Sequence, residues 1–490
     1  MLDRVALIVA HHAAAHVRVH RPPGASLSTS SSRLLNRETL ARWVANGSAI
    51  AVAIGVMNLA TYAFTALAAR FLGPEEYGQL AALMGLLLVV NVVSLGLQAT
   101  AARRLAAHPG SVDAIEVAVR RATWRAALLL GALLAVLSPL VERLLRLDSL
   151  TSALLLAATA VPLTVMGGQA GLLQGERRWT PLALLYVGAG VGRLALGLVG
   201  IGIAASTVGA MAGVAAGAVV PVLVGAWGLR RRPDTDDAAD DAADDAADDA
   251  ADDGAIAQSD DRVEGASPRA VLIEIAQSSH ALLAFFVLSN VDVLVARAVL
   301  PDREAGLYAA GLIMTKAVLF LPQFVVVLVF PSLADESSRR RLFLPALGAV
   351  LAIGLTTVAG VAVLRGLAQI FVGGEEYAGV RDQLWLFAIL GTVLAMLQLI
   401  VYQVLAQRSH GRIGLIWLAV AALVPLAVWA TDGESSLLAV VLTVDVALLG
   451  TLVALVLRSG RKPQEPAADR VRAPAAPEPE PAPPAPSELD

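Results

Sequence analysis

The sequence predicts an all-α, polytopic membrane protein with about twelve spanning helices in two six-helix lobes, related by a pseudo-two-fold axis along the membrane normal. Three observations carry that prediction. Of the 490 residues, 57% are apolar and only 16% are charged, giving a mean hydropathy of +0.69. The apolar residues gather in runs of about 20, each long enough to cross ~30 Å of hydrocarbon as a helix. One segment recurs at an offset of 228 residues, which marks an internal duplication.

The expected spans of the first half are residues 44–69, 79–101, 124–141, 150–173, 181–202 and 206–229. Those of the second half are 270–296, 307–333, 342–364, 383–405, 413–430 and 436–457. Residues 181–229 form one apolar run interrupted by Arg193. As a single helix this run would be about 73 Å long, so the chain must fold back, near Ala204 to Thr207.

Orientation follows from the cations. Between spans, 23 Lys and Arg residues fall on one side, among them Arg103, Arg104, Arg120, Arg121, Arg177, Arg178 and Arg230. Seven fall on the other: Arg70, Arg143, Arg146, Arg297, Arg303, Arg365 and Arg381. Cytoplasmic loops retain positive charge, so both termini are expected in the cytoplasm and the chain in the plasma membrane.

Residues 1–41 read as a disordered or interfacial lead-in. The run MLDRVALIVA is too short and too interrupted by histidine for a secretory signal. His11, His12, His16 and His20 could suggest a metal tract, but disorder is the simpler reading. Residues 42–232 form the expected N-lobe and 269–458 the C-lobe. Between them, residues 233–268 hold fourteen acids and one arginine, net −13, in DDAA repeats. That composition predicts a solvated, disordered tether. The tail, residues 459–490, holds nine of the 24 prolines and reads as extended and disordered.

The duplicated segments are ARFLGPEEYGQLAA (residues 69–82) and RAVLPDREAGLYAA (residues 297–310). Leu72, Glu76, Gly78, Ala81 and Ala82 recur as Leu300, Glu304, Gly306, Ala309 and Ala310. Both lie between the first and second span of a half. Six spans per half bring both halves into the membrane from the same side, and two such lobes enclose a cleft that rocking can expose to either face.

Polar stripes mark where that cleft is expected. Asn58, Thr61, Tyr62 and Thr65 share one face of the first span, and Asn91, Ser94 and Gln98 one face of the second. The seventh carries Glu274, Gln277, Ser278, Ser289 and Asp292, and the eighth Lys316 and Gln323. Lone hydroxyls and amides commonly bridge helices at about 0.6 kcal/mol each, which suffices for Ser and Thr. Charges cost more: Arg193 and Lys316 lie near mid-membrane, where insertion costs about 2.5–3.5 kcal/mol each. They are expected to hold an anionic cargo, or to pair with an acid such as Asp292 or Asp445. Substrate-binding candidates are Arg193, Lys316, Asn58, Tyr62, Asn91, Gln98, Gln277 and Gln323. Ion-coupling candidates are Asp292, Glu274 and Asp445, although Glu274, near the cytoplasmic end, is also explained by solvation. The glycines at 167, 171 and 175, and at 209, 213 and 217, repeat every fourth residue and predict close helix packing.

The chain has no cysteine, which excludes disulfides, thiol nucleophiles and Cys-ligated metals. No P-loop, HExxH pattern or paired carboxylates on a folded loop is present. No catalytic residue, cofactor, metal or nucleic-acid partner is expected.

RFLGPEEYG after an Asn-bearing first span resembles the polysaccharide (O-antigen type) flippases of the multidrug/oligosaccharidyl-lipid/polysaccharide exporter (MOP) superfamily. LLQGERRW at 172–179, and NVDVLVARAVL, EAGLYAA and LFLPQFVVVLVFP within 290–331, resemble the same family. The resemblance covers most of residues 42–457. It implies flipping of lipid-linked oligosaccharide or polysaccharide repeat units from the inner to the outer leaflet by alternating access. The implied cargo is a polyprenyl-pyrophosphate-linked glycan, and the implied partners besides the lipid bilayer are glycan polymerases or glycosyltransferases. It also implies a cationic central cavity, for which Arg193 and Lys316 are the residues available. Two alternatives share these features in part. A multidrug or toxin exporter of the same fold would carry cations, which mid-membrane arginine and lysine disfavour. A membrane polymerase or ligase would need catalytic groups on a sizeable outer loop, and the outer loops here are short.

Overall fold

The computed structural model describes residues 31–107, 112–230, 268–320, 336–406 and 410–459. Among them every element is helical. The first half comprises α1 (Ser31–Val90), α2 (Val92–Ala107), α3 (Val112–Leu144), α4 (Leu150–Gly175), α5 (Trp179–Ile203) and α6 (Thr207–Arg230). The second comprises α7 (Pro268–Val299), α8 (Asp302–Phe320), α9 (Glu336–Val363), the short α10 (Arg365–Val372), a 3-10 turn (Glu375–Gln383), α11 (Leu384–Ala406), α12 (His410–Ala430) and α13 (Glu434–Ser459). Among the described residues ten stretches are long and apolar enough to cross a membrane. The first, Ala49–Ala107, contains two of the expected spans, and α8 supplies the described part of the eighth.

Two boundaries follow directly from chain physics. The run from 181 to 229 breaks between Ile203 and Thr207, as its length demanded. The first and second spans, expected to be joined by a loop, are instead separated by one non-helical residue, Gly73 (φ 72°, ψ 174°), followed by Pro74. That backbone conformation is open essentially to glycine, and proline suits the helical position after it.

Close packing inside the first half runs through the glycine stripes. Gly167, Gly171 and Gly175 of α4 meet Ser94, Gln98 and Leu105 of α2, while Gly209, Gly213 and Gly217 of α6 abut the α5 backbone at Gly200, Leu196 and Gly192. A methyl at any of these would push helices apart. In lipid, where the hydrophobic effect does not drive helices together, such close approach supplies the dispersion that holds them.

The duplication is visible in the contacts. Gly78 lies against its repeat equivalent Gly306, and Gly306 against the carbonyl of Pro74. A two-fold relation brings residues near its axis against their own counterparts. Glu76 accepts from the backbone N–H (2.6 Å) and hydroxyl (2.5 Å) of Thr207, at the start of α6. Its counterpart Glu304 approaches Gly433, just before α13, so each repeat copy meets the start of the sixth helix of its own half.

The arginines at 103, 104, 177, 178 and 230 mark one end of the bundle, called here the basic end. At the opposite end the halves are joined by an arginine clasp. Arg297, 1% exposed, donates to the carbonyls of Leu145 (2.8 Å) and Arg146 (2.7 Å) and to the Asp302 carboxylate (2.8 Å). Arg146 reciprocates, donating to the carbonyls of Arg297 (2.9 Å) and Leu300. Each guanidinium thus caps the end of a helix in the other half, where carbonyls have no intrahelical donor. Tyr377 adds a bond from its hydroxyl to the Ala69 carbonyl (2.8 Å).

Replacing Arg297 by alanine strands the carbonyls of Leu145 and Arg146, and is expected to cost about 2–5 kcal/mol. Thermal unfolding of the purified protein should show it. Arg297→Lys should recover little, because an ammonium cannot reproduce the fork. An unchanged Tm would contradict the clasp.

Candidate functional site

Arg193 stands on α5 between Gly190, which packs on Met57 and Ala60, and Gly197, which packs on Phe64. Positions 190, 193 and 197 share a helix face, so Arg193 lies on the flank of α5 that meets α1. The opposite flank of α5 forms, with α6, an apolar groove of about 690 Å³ lined by residues such as Val191, Ala195 and Leu223. Arg193 is not part of that lining. Among the described residues no hydrogen bond or ion pair reaches its half-buried guanidinium.

The first half presents further polar groups. Asn58 is half-buried on α1. Tyr62 rests its ring on Phe371 of α10, centroids 5.2 Å apart, while its hydroxyl is buried without a hydrogen-bond partner. Asn91, at the break between α1 and α2, likewise has a buried and unpartnered amide oxygen. Gln98 is committed differently: it donates to Gln174 (2.9 Å) and to the Tyr186 hydroxyl (2.7 Å), tying α2, α4 and α5 together.

The second half contains a separate buried cluster. Asp292, 2% exposed, accepts from the N–H of Val293 (2.8 Å) and from the hydroxyl of Tyr308 (3.3 Å). Lys316 donates to the Asn290 side-chain oxygen at 2.6 Å and lies within electrostatic reach of Asp292. Asp445, reaching in from α13 at 1% exposure, interacts electrostatically with Asp292 and Tyr308 and leaves one carboxylate oxygen unpartnered. Asp292, Lys316 and Asp445 are thus brought together, and Arg193 belongs to the other half. The side chains of Glu274 and Gln277, and residue Gln323, lie outside the described residues.

Asn290 and Tyr308 were not singled out from the sequence. Tyr308 lies inside the duplicated segment, but its first-half counterpart is Leu80, so the repeat gives it no polar signature. Asn290 differs from other polar span residues only by the packing that brings it to Lys316.

Residues 43–234 match the family model described as polysaccharide biosynthesis protein. The match covers less than half of the 490 residues. Among solved structures, it is similar to an inward-facing multidrug resistance MATE family transporter of the MOP superfamily (14% identity, 83% of this chain and 94% of that one, TM-score 0.64). It is also similar to the lipid II flippase MurJ in an inward closed conformation (11% identity, 83% and 87%, TM-score 0.61). A third is the eukaryotic MATE transporter AtDTX14 (11% identity, 85% and 96%, TM-score 0.56). No curated protein matches by sequence. The matched residues and Arg193 both lie in α1–α6.

Lys316→Met should destabilise the protein by about 3 kcal/mol or more, by leaving buried carboxylate charge uncompensated. Adding Asp292→Asn, which keeps acceptor capacity, should recover over about 1 kcal/mol of that loss. Thermal denaturation of the singles and the double reads the coupling, and strictly additive losses would refute it.

Proposed function

We propose that this protein flips a lipid-linked saccharide across the membrane, from the leaflet at the basic end to the other, by alternating access of its two lobes. The observation that carries the reading is Arg193: a mid-span cation without a partner among the described residues, inside a polysaccharide biosynthesis domain. An isolated guanidinium in hydrocarbon is costly, and a polyprenyl-linked pyrophosphate supplies the multiply charged oxygen acceptors that its planar fork suits. The orphaned hydroxyl of Tyr62 and amide oxygen of Asn91, with Asn58 nearby on α1, offer hydrogen bonds to the sugars.

The basic end faces the cytoplasm in this proposal, on the strength of the cation asymmetry, and the membrane is the plasma membrane. The clasp at the opposite end then closes the exit side. That agrees with the inward-facing and inward closed states named for two similar structures. Asp292, Asp445 and Lys316 sum to one negative charge when all are ionised, so the cluster has room for one cation or proton, and we assign the coupling site to it. A supplying glycosyltransferase and a consuming polymerase are the partners such a cargo requires. The role of the chain itself is transport rather than catalysis.

A second reading, cation-coupled export of a cationic small molecule, draws on the same acidic pair and on the MATE-like fold. One experiment separates the two. In cells that depend on this protein for glycan export, Arg193→Glu should lower export by about ten-fold or more, the value of a lost charge-assisted hydrogen bond, and lipid-linked saccharide should accumulate on the inner leaflet. Full export with Arg193→Glu at normal protein level would overturn the flippase reading. If that variant instead leaves efflux of a cationic dye intact while Asp445→Asn abolishes it, the second reading stands.

A further inference from the structure

The second half has one helix too short to span. α10 has eight residues, about 12 Å of rise, and lies at the clasped end between the close of α9 and the 3-10 turn that leads to α11. Its polarity is reversed relative to a surface helix in water, which turns its apolar side to the core. Leu364, Leu367, Ile370 and Phe371 fall within about a third of the helix circumference, and all four are exposed, Leu367 at 62% and Ile370 at 58%. The inner side holds Ala368, Gln369 and Val372, all buried. Gln369 is satisfied there: its side chain donates to the Gly374 carbonyl (3.1 Å), and its own carbonyl accepts from the N–H groups of Gly373 (3.2 Å) and Gly374 (2.9 Å).

What covers the outer side follows from its neighbours. Exposed apolar residues of α9, among them Leu351, Leu355 and Val363, run up to Leu364, so α10 continues a lipid-facing surface. Exposed charges at the same level, Arg365 with Asp382 (3.6 Å) and Glu375 beyond the helix, mark the layer of headgroups and water. A helix with one apolar face at that boundary lies in it, apolar side toward hydrocarbon.

The same segment crosses to the first half. Phe371 carries the ring of Tyr62. Tyr377 bonds the Ala69 carbonyl and sets its ring edge-on to Tyr77, centroids 6.4 Å apart, and the Glu376 carboxylate sits against Gly73. Residues 371–377 therefore lie along α1 from Tyr62 to Tyr77. Phe371 is itself half exposed, which puts its contact with Tyr62 at the edge of the bilayer.

We propose that α10 is a lipid-seated latch. Its outward face is embedded in the leaflet at the clasped end, and its grip on α1 closes the bundle sideways until the lobes part. The seating follows from α10 alone, whereas the latch rests on the flippase reading. A lipid-linked cargo keeps its tail in hydrocarbon while its headgroup crosses, so the exit end must open laterally, and Phe371 on Tyr62 joins the halves where lipid meets that end.

Seating is read on full-length protein in phosphatidylcholine liposomes carrying one nitroxide at a time, at Leu367→Cys, Ile370→Cys or, for comparison, Glu375→Cys. Dissolved oxygen should relax the labels at 367 and 370 more than a water-soluble nickel chelate does, with the order reversed at 375. An order at 367 and 370 no different from that at 375 would put the face in water, and a dipolar signal between singly labelled chains would put a second copy on it; either overturns the proposal. Latching is read with labels at Leu59→Cys, exposed one turn before Tyr62, and Ile370→Cys. One short distance is expected without cargo, and a second, longer one with a polyprenyl-pyrophosphate saccharide. In cells that export glycan through this protein, Leu367→Gln/Ile370→Gln should lower export several-fold at normal protein level. Val428→Gln/Trp429→Gln, which adds the same polarity to exposed positions at this end of α12, should leave it intact. No loss in the first pair, equal loss in both, or a distance that stays fixed while cargo crosses would overturn the latch. If no saccharide is moved at all, the flippase reading fails while the nitroxide order still decides the seating.

Discussion

One buried guanidinium sets the relation between the halves. Arg297 reaches from α7 to two carbonyls at the end of α3, while Arg146 returns the gesture to the end of α7. Between helices surrounded by lipid, apolar surface supplies no preference for one lobe arrangement over another. Charge-assisted bonds to helix ends do, because the buried Arg297 guanidinium loses its partners if they break. The glycine contact at Gly78 and Gly306 brings the halves close enough for the clasp to form. The bonds come from side chains to backbone acceptors, so they can be released together by a modest separation of the lobes. This is the behaviour expected of a two-state interface rather than of a continuously deformable one.

Chemically the halves are unequal. The first carries a cation unpaired among the described residues and orphaned neutral polar groups, and the second carries two buried carboxylates with a lysine in reach of one of them. An anionic cargo and a small cation would each meet the half whose charge it balances. Binding at either site changes the electrostatic cost of the lobe arrangement around it, and that differential is what couples two ligands in one protein. The duplicated segments share a scaffold while individual side chains differ, as Leu80 opposite Tyr308 shows.

Much of the fold was legible from the sequence because lipid restricts the options. Spans follow from apolar length, the α5–α6 reversal follows from the rise per residue, and the glycine stripes marked α4 and α6 as closely packed without naming their partners. Gly73 was less legible, since GPEE reads as a loop and only the helical backbone on both sides shows one residue making the break. The mid-span cations could be named from cost alone, which located Arg193 and Lys316, while Asp292 and Asp445 entered as acids able to pair with them. Their partners could not. Asn290 meets Lys316 from another helix, 26 residues away, and no periodicity encodes that. The clasp was invisible for a further reason: its acceptors are backbone carbonyls, present at every residue, and Arg146 and Arg297 counted only as loop charges on the less basic side.

The most direct measurement of the central claim is the distance between the lobes at the clasped end. The chain lacks cysteine, so spin labels at Arg143→Cys and Arg303→Cys report that gap without background. The account predicts a single short distance in the cargo-free protein, and a second, longer population when a polyprenyl-pyrophosphate saccharide is present. One unchanging distance in a preparation that still moves its cargo would contradict it.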